Sequence, residues 1–230
     1  ALPISHNIES FKADWRANSE QWDYLIAQNE YSVDTFTRCF DFHKEYLKIG
    51  YPRNDILFRY NNPEDILRIK QELGIPLDKK IILYAPTWRD SDDQGKTYSL
   101  KPPIHLDKWE ERLKDDYILL FRTHHYTTRL LGVQFNDFVR DFSSYPVIND
   151  LFMVSDILIS DYSSCITDYS ILERPVICFA YDYETYTKQR GVNIDFSQEM
   201  PGGILKTEDE VIDRILRMDV EEESRKTREM

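Results

Sequence analysis

A chain of 230 residues in which 41% are hydrophobic can bury the core of one large domain, or of one domain and part of another, which argues against wholesale disorder. A formal net charge of −12 argues against a protein that grips nucleic acid by its phosphates or docks on anionic lipid through a basic patch. No apolar run approaches the ~20 residues of a membrane-spanning helix. The three cysteines, Cys39, Cys165 and Cys178, lack the spacing of a zinc site or a disulfide framework.

Residues 1–20 are polar and aperiodic and predict a connecting arm with no more than a turn of helix. The opening ALPISHNIESFKADW has no basic stretch followed by an apolar one, so no secretion signal is expected. WDYLIA (22–27) predicts a short buried strand and YSVDTFTRCF (31–40) a short helix. YLKIG (46–50) predicts another strand, and YPRND after it is turn chemistry. NNPEDILRIKQELG (61–74) predicts a helix on several grounds. Pro63 suits its first turn, Glu64 and Asp65 complement its dipole, Ile66, Leu67, Ile69 and Leu73 form an apolar stripe, and Gly74 stops it.

From there strands alternate with helices. Strands are expected at 81–85, 117–122, 157–160 and 175–180, and helices at 106–116, within 145–156, at 163–173 and at 208–218. These strands are continuous apolar runs rather than alternating ones. That pattern marks strands buried on both faces, as in a parallel sheet covered by helices. The fold expected from about residue 60 onward is therefore α/β, a Rossmann-like doubly wound parallel sheet. The tail DVEEESRKTREM is a charge run, expected to be a solvated helix end or a frayed terminus.

Open parallel sheets bind ligands at the carboxyl ends of their strands. Four polar loops fall there, starting at Pro86, Thr123, Asp161 and Tyr181. Ser163 and Ser164 stand where a helix is expected to begin, and free backbone N–H groups there attract anions. The plainer alternative makes Ser163 an N-cap. Asp168 lies one turn after Ser164. His124 and His125 follow a strand, where side chains alternate, so no more than one of the two is expected to face a cleft as acid, base or phosphate donor; the plainer alternative makes it structural or solvated. Thr87 and Arg89 offer a hydroxyl and a planar cation suited to phosphate; the alternative for Arg89 is a salt bridge with Asp90, Asp92 or Asp93. Only seven glycines occur, with neither a GxGxxG nor a GxxxxGK[ST] pattern, so no dinucleotide fingerprint or P-loop is present. Asp90-Ser91-Asp92 is a weak hint of a metal, and no metal or cofactor is expected.

WDYLIAQNEYS, IGYPRNDIL, KKIILYAPTWRD, LLFRTHHY, SDILISDYSSCITDYSILERPVICFAYDYETY and PGGI run in order from about residue 21 to 206. Together they resemble the CDP-glycerol glycerophosphotransferases of teichoic-acid and capsule synthesis, the TagF/TagB-like polymerases and primases. The resemblance implies a GT-B architecture of two Rossmann-like domains. Residues 1–58 would be a connecting arm and the closing part of the N-terminal, acceptor domain. Residues 59–230 would be the C-terminal domain that binds a CDP-polyol. It implies that Ser163 and Ser164 bind the donor's phosphates and that His124 serves the diphosphate or leaving group, with His125 where the family often carries an aromatic residue. Arg53, Asn54, Thr87, Arg89 and Asp168 match motif positions.

One departure stands out. The family's proposed base is a His in an HGT-type motif, and no HGT occurs in this chain. The chain is therefore read as the C-terminal, donor-binding portion of a longer enzyme. The reaction implied is attack by a polyol hydroxyl on the β-phosphate of a CDP-polyol, glycerol foremost, with CMP leaving and a phosphodiester forming on a polyol-phosphate polymer. No nucleic acid is expected as partner. The location implied is cytoplasmic, at the inner face of the cell membrane, with any peripheral attachment supplied by sequence outside this chain. Two alternatives stay open: a GT-B glycosyltransferase using a UDP- or GDP-sugar, and a non-catalytic nucleotide-binding module.

Overall fold

The computed structural model describes residues 8–89, 99–100, 103–123, 129–130, 133–192 and 194–230. The chain divides into two compact units, Ala1–Arg59 and Tyr60–Met230.

In the first unit, the expected arm is instead a helix, α1 (Ile8–Ser19). Its low apolar content hides the packing that holds it. Trp15 meets Phe40 with ring centroids 4.8 Å apart and Trp22 at 6.1 Å. Tertiary contact of this kind, rather than propensity, is what keeps a short polar helix folded. The strands β1 (Tyr24–Ile26) and β2 (Glu45–Leu47) pair in parallel around α2 (Glu30–Phe40). Asn29 caps α2 by accepting the Ser32 N–H at 3.0 Å, and Asp41, left-handed at φ 53°, closes it. The expected turn at YPRND is a 3-10 turn over 52–54 that runs into α3 (Asp55–Arg59).

The second unit opens with α4 (Pro63–Glu72), entered as its sequence demands. Asn62 accepts the Asp65 N–H at 3.0 Å, Pro63 takes the first position, and Gly74 adopts φ 65°. The rest alternates: β3 (Lys80–Ala85), β4 (Ser99–Leu100), α5 (Leu106–Leu113), β5 (Tyr117–Phe121), β6 (Arg129–Leu130), β7 (Val139–Asp141), α6 (Ile148–Val154), β8 (Ile157–Ser160), α7 (Cys165–Tyr169), β9 (Val176–Phe179), α8 (Tyr183–Arg190), α9 (Phe196–Glu199), β10 (Ile204–Leu205), α10 (Glu208–Arg217) and α11 (Val220–Arg228). Six strands form one sheet in the order β10-β9-β8-β3-β5-β7, every pair parallel. The first strand of that sheet lies in the middle, the next two extend one edge, and the last three extend the other. This is the doubly wound Rossmann order. The expectation of a doubly wound parallel sheet is met. Separately, β4 pairs with β6.

Burial explains the continuous apolar strands. Residues at alternate positions, Ile82 and Tyr84, Leu119 and Phe121, Ile157 and Ile159, Ile177 and Phe179, share one core with Trp109 and Leu113 of α5 and Val211, Ile212 and Ile215 of α10. The intervening residues, Ile81, Leu83, Ile118, Leu120 and Leu158, are buried as well. Trp109 is fully buried, and its indole N–H donates to Glu208 Oε2 at 3.2 Å. The same carboxylate accepts the His105 N–H at 2.7 Å and so ties the start of α5 to α10.

Two further elements differ from expectation. The helix expected over 163–173 is only α7, followed by a 3-10 turn over 170–172 that Glu173 closes at φ 53°. Pro175 disfavours helical backbone just before it, so the chain tightens and stops early. The tail is not frayed: α11 docks, with Glu223 and Thr227 buried and Arg214 reaching Glu223 at 3.3 Å. No helix among the described residues is long and apolar enough to cross a membrane.

Candidate functional site

The strand order reverses between β3 and β8, and their carboxyl ends form the crevice in which open α/β sheets hold ligands. The two ends are tied together. Ser160 Oγ donates to the Ala85 carbonyl at 2.7 Å. Asp161, 2% exposed, accepts two backbone N–H groups on Oδ1, from Thr87 and from Tyr162, each at 2.8 Å. One carboxylate thus fixes the loop after β3 and the turn after β8 in the same place.

Arg89 completes this clamp. Its Nη2 donates to Asp161 Oδ2 at 2.8 Å and to Asp182 Oδ1 at 3.0 Å, its Nε to Asp182 Oδ2 at 2.8 Å, and its Nη1 to the Thr87 carbonyl at 2.5 Å. The rings of Tyr162, Tyr181 and Tyr186 lie 5.1, 5.2 and 5.1 Å from the guanidinium carbon. Tyr162 stacks on Tyr186 at 3.7 Å between centroids and donates its hydroxyl to Asp182 Oδ1 at 2.8 Å. Burial disfavours the charge on Arg89, but Asp161 and Asp182 more than offset it and hold the group protonated above its ordinary range. Burial, reinforced by Asp182, pushes the Tyr162 hydroxyl far up, and burial takes Tyr181 up to about 12. All these tyrosines are neutral donors at physiological pH.

Arg89 therefore has four of its five N–H bonds engaged within the protein. The ion pair weighed against a phosphate role is realised with Asp161 and Asp182; Asp90, Asp92 and Asp93, the partners considered for it, lie outside the described residues. Two carboxylates around one guanidinium leave the cluster net negative, so its direct contribution to anion binding is small. Asp161, Asp182 and the Tyr162–Tyr186 stack were not given roles by the sequence reading. The one available signal was an acidic residue directly after an apolar strand.

The serine turn follows directly. Ser163 is half-buried and its Oγ accepts the Cys165 N–H at 3.3 Å, the capping role considered for it. Ser164 is exposed and makes no side-chain cap bond. Its carbonyl accepts from Asp168 N–H at 3.4 Å and from Thr167 Oγ1 at 2.8 Å, so Asp168 lies one turn on in α7, half-buried. Thr87 Oγ1 is buried without a hydrogen-bond partner among the described residues. Thr87, Ser163, Ser164 and Asp168 are thus carried by the two strand ends that Asp161 joins.

His124 and His125 fall outside the described residues. Arg53 and Asn54 belong to the first unit. There the Arg53 guanidinium sits 4.2 Å from the Tyr51 ring centroid, and Asn54 is buried. No group of three or more His, Cys, Asp or Glu among the described residues is placed to hold a metal ion.

Comparison with known proteins agrees with this fold. The family model described as CDP-Glycerol:Poly(glycerophosphate) glycerophosphotransferase matches residues 4–230. The teichoic acid poly(glycerol phosphate) polymerase of Bacillus subtilis (strain 168) is 43% identical over 212 residues, 91% of this chain and 28% of that protein. The teichoic acid glycerol-phosphate transferase of Staphylococcus aureus (strain NCTC 8325 / PS 47) is 38% identical over 220 residues, 94% of this chain and 56% of that protein. A solved variant of the wall teichoic acid polymerase TagF, soaked with CDPG, superposes with a TM-score of 0.82 at 34% identity over 99% of this chain and 55% of its own. The chain spans from about a quarter to just over half the length of these relatives. By its sequence over nearly its whole length and by its fold, this chain belongs to the CDP-glycerol:poly(glycerophosphate) glycerophosphotransferase family.

Proposed function

We propose that the chain is the donor-binding part of a transferase that moves a polyol phosphate, glycerol phosphate foremost, from a CDP-polyol to a hydroxyl of a teichoic-acid-like polymer. Family membership across residues 4–230 is the observation that carries this reading. The names of the relatives and the CDPG soaked into TagF supply the donor and the polymer by analogy.

In this reading the acceptor oxygen bonds to the donor's β-phosphorus, and the bond from that phosphorus to the CMP oxygen breaks. The acceptor's proton passes to a base, for which the family uses a motif absent from this chain. The chain's own part is to seat the donor. The hydroxyls of Ser163, Ser164 and Thr87 and the N–H groups of Ser163 and Ser164 are donors for the diphosphate, and Asp168 supports the turn through its N–H to the Ser164 carbonyl. His124 supplies a proton or a hydrogen bond to the departing CMP oxygen. Arg89 acts one step removed, by holding the two strand ends. Such a site works by position and by donors set in advance, which is the main catalytic lever in phosphoryl transfer. Work at the cytoplasmic face of the membrane, on a growing polymer, fits this role.

Replacing Ser163 and Ser164 together by alanine tests the seat. Affinity for CDP-glycerol should fall about tenfold, the loss of one to two net hydrogen bonds, with the melting temperature held within a few degrees. Unchanged affinity would remove the serine turn from the donor site.

A further inference from the structure

Arg122 is a cation at the carboxyl end of this sheet that forms no ion pair with a carboxylate among the described residues. It follows β5, the strand beside β3, and its N–H donates to the Tyr84 carbonyl at 2.9 Å. Its Nη1 donates to the carbonyls of Thr123, at 3.1 Å, and Ser143, which pins the guanidinium across the carboxyl ends of β5 and β7. No acidic side chain among the described residues lies within ion-pair distance. Asp141 is the acid whose field reaches it, and Asp141 Oδ1 is committed to the Ser143 N–H at 2.8 Å. Arg122 Nε is buried with no hydrogen-bond partner among the described residues. The same two residues, Thr123 and Ser143, whose carbonyls accept from Arg122, join their hydroxyls at 3.0 Å.

We propose that Arg122, rather than Arg89, is the guanidinium that grips the donor's diphosphate. The contrast between the two arginines carries the inference. Arg89 lies between two carboxylates that use its donors. Arg122 has donors to spare, follows the neighbouring strand at the same end of the sheet, and is half-buried without a counter-ion among the described residues. Burial pulls its affinity for protons down, and Asp141 offsets that only in part. A partly desolvated cation in this position gains most from an incoming anion, and a guanidinium fork suits two phosphate oxygens at once. The proposal rests on the reading of this edge as a nucleoside-diphosphate seat, but it does not depend on which nucleoside is bound.

The test is to titrate the wild-type protein, Arg122→Gln and Arg122→Lys with inorganic pyrophosphate, CDP-glycerol and UDP-glucose, and to melt each in anion-poor buffer. Arg122→Gln should weaken pyrophosphate and CDP-glycerol about tenfold or more, and Arg122→Lys should fall between it and the wild type. Without ligand, the melting temperature of Arg122→Gln should hold or rise, because an unpaired, partly buried charge is gone. Unchanged affinity in Arg122→Gln would overturn the proposal. So would a drop in melting temperature with no loss of affinity, which would mark the residue as structural. A wild type that prefers UDP-glucose, with the same dependence on Arg122, would overturn the CDP reading and leave Arg122 standing.

Discussion

Replacing Asp161 by alanine is expected to lower unfolding free energy by about 3–5 kcal/mol, the usual cost of stripping one partner from a buried charge cluster. Three bonds go at once: the Arg89 ion pair and the caps on Thr87 N–H and Tyr162 N–H. Arg89, with its side chain 17% exposed, would keep Asp182 as its carboxylate partner among the described residues. Asp161→Asn retains an acceptor for the two backbone N–H groups and loses only the ionic part, so it should cost distinctly less. Urea unfolding at constant m-value measures both. A loss under about 1 kcal/mol for the alanine variant would show that the clamp between β3 and β8 holds little. Because the same acceptor sets the serine turn, Asp161→Ala should also weaken donor binding, and Asp161→Asn, which keeps that acceptor, should weaken it less.

In the full-length enzyme, His124→Ala is expected to cut turnover about 100-fold or more, in the usual range for a positioned acid or base, whereas His125→Ala should change it only a few-fold. The expectation follows from the motif match, which gives the phosphate role to His124 and leaves His125 where the family often carries an aromatic residue. The effect should fall on kcat more than on KM if the group acts on the departing CMP oxygen. Equal losses, or a larger one at His125, would reverse the assignment.

The parts of this fold that can be read in sequence are those whose signal is local. The central strands are unbroken apolar runs, and α4 carries its cap, its proline and its stop within a dozen residues. What escapes is set by distant partners. α1 and α11 look polar because a few residues do their packing, Trp15 in one and Glu223 and Thr227 in the other. β7 and β10, at the two edges of the sheet, are three and two residues long, and α8 has no apolar stripe. The site divides the same way. The rule that ligands meet strand ends points to Thr87, Ser163 and Ser164 as candidates, and the structure carries them on the two strand ends that Asp161 joins. The rule does not say that Arg89 is paired with Asp161 and Asp182, 72 and 93 residues away, since only the order of strands brings them together. Local charge suggested Asp90, Asp92 and Asp93, which lie outside the described residues, whereas the sheet supplies Asp161 and Asp182.

The central claim is that this edge seats a CDP-polyol. Calorimetric titration of the chain with CDP-glycerol, CDP-ribitol and UDP-glucose tests it most directly. The account expects saturable binding of the CDP compounds, at least about tenfold tighter than UDP-glucose, with CDP-glycerol the tightest. Tighter binding of UDP-glucose, or equal binding of all three, would contradict it.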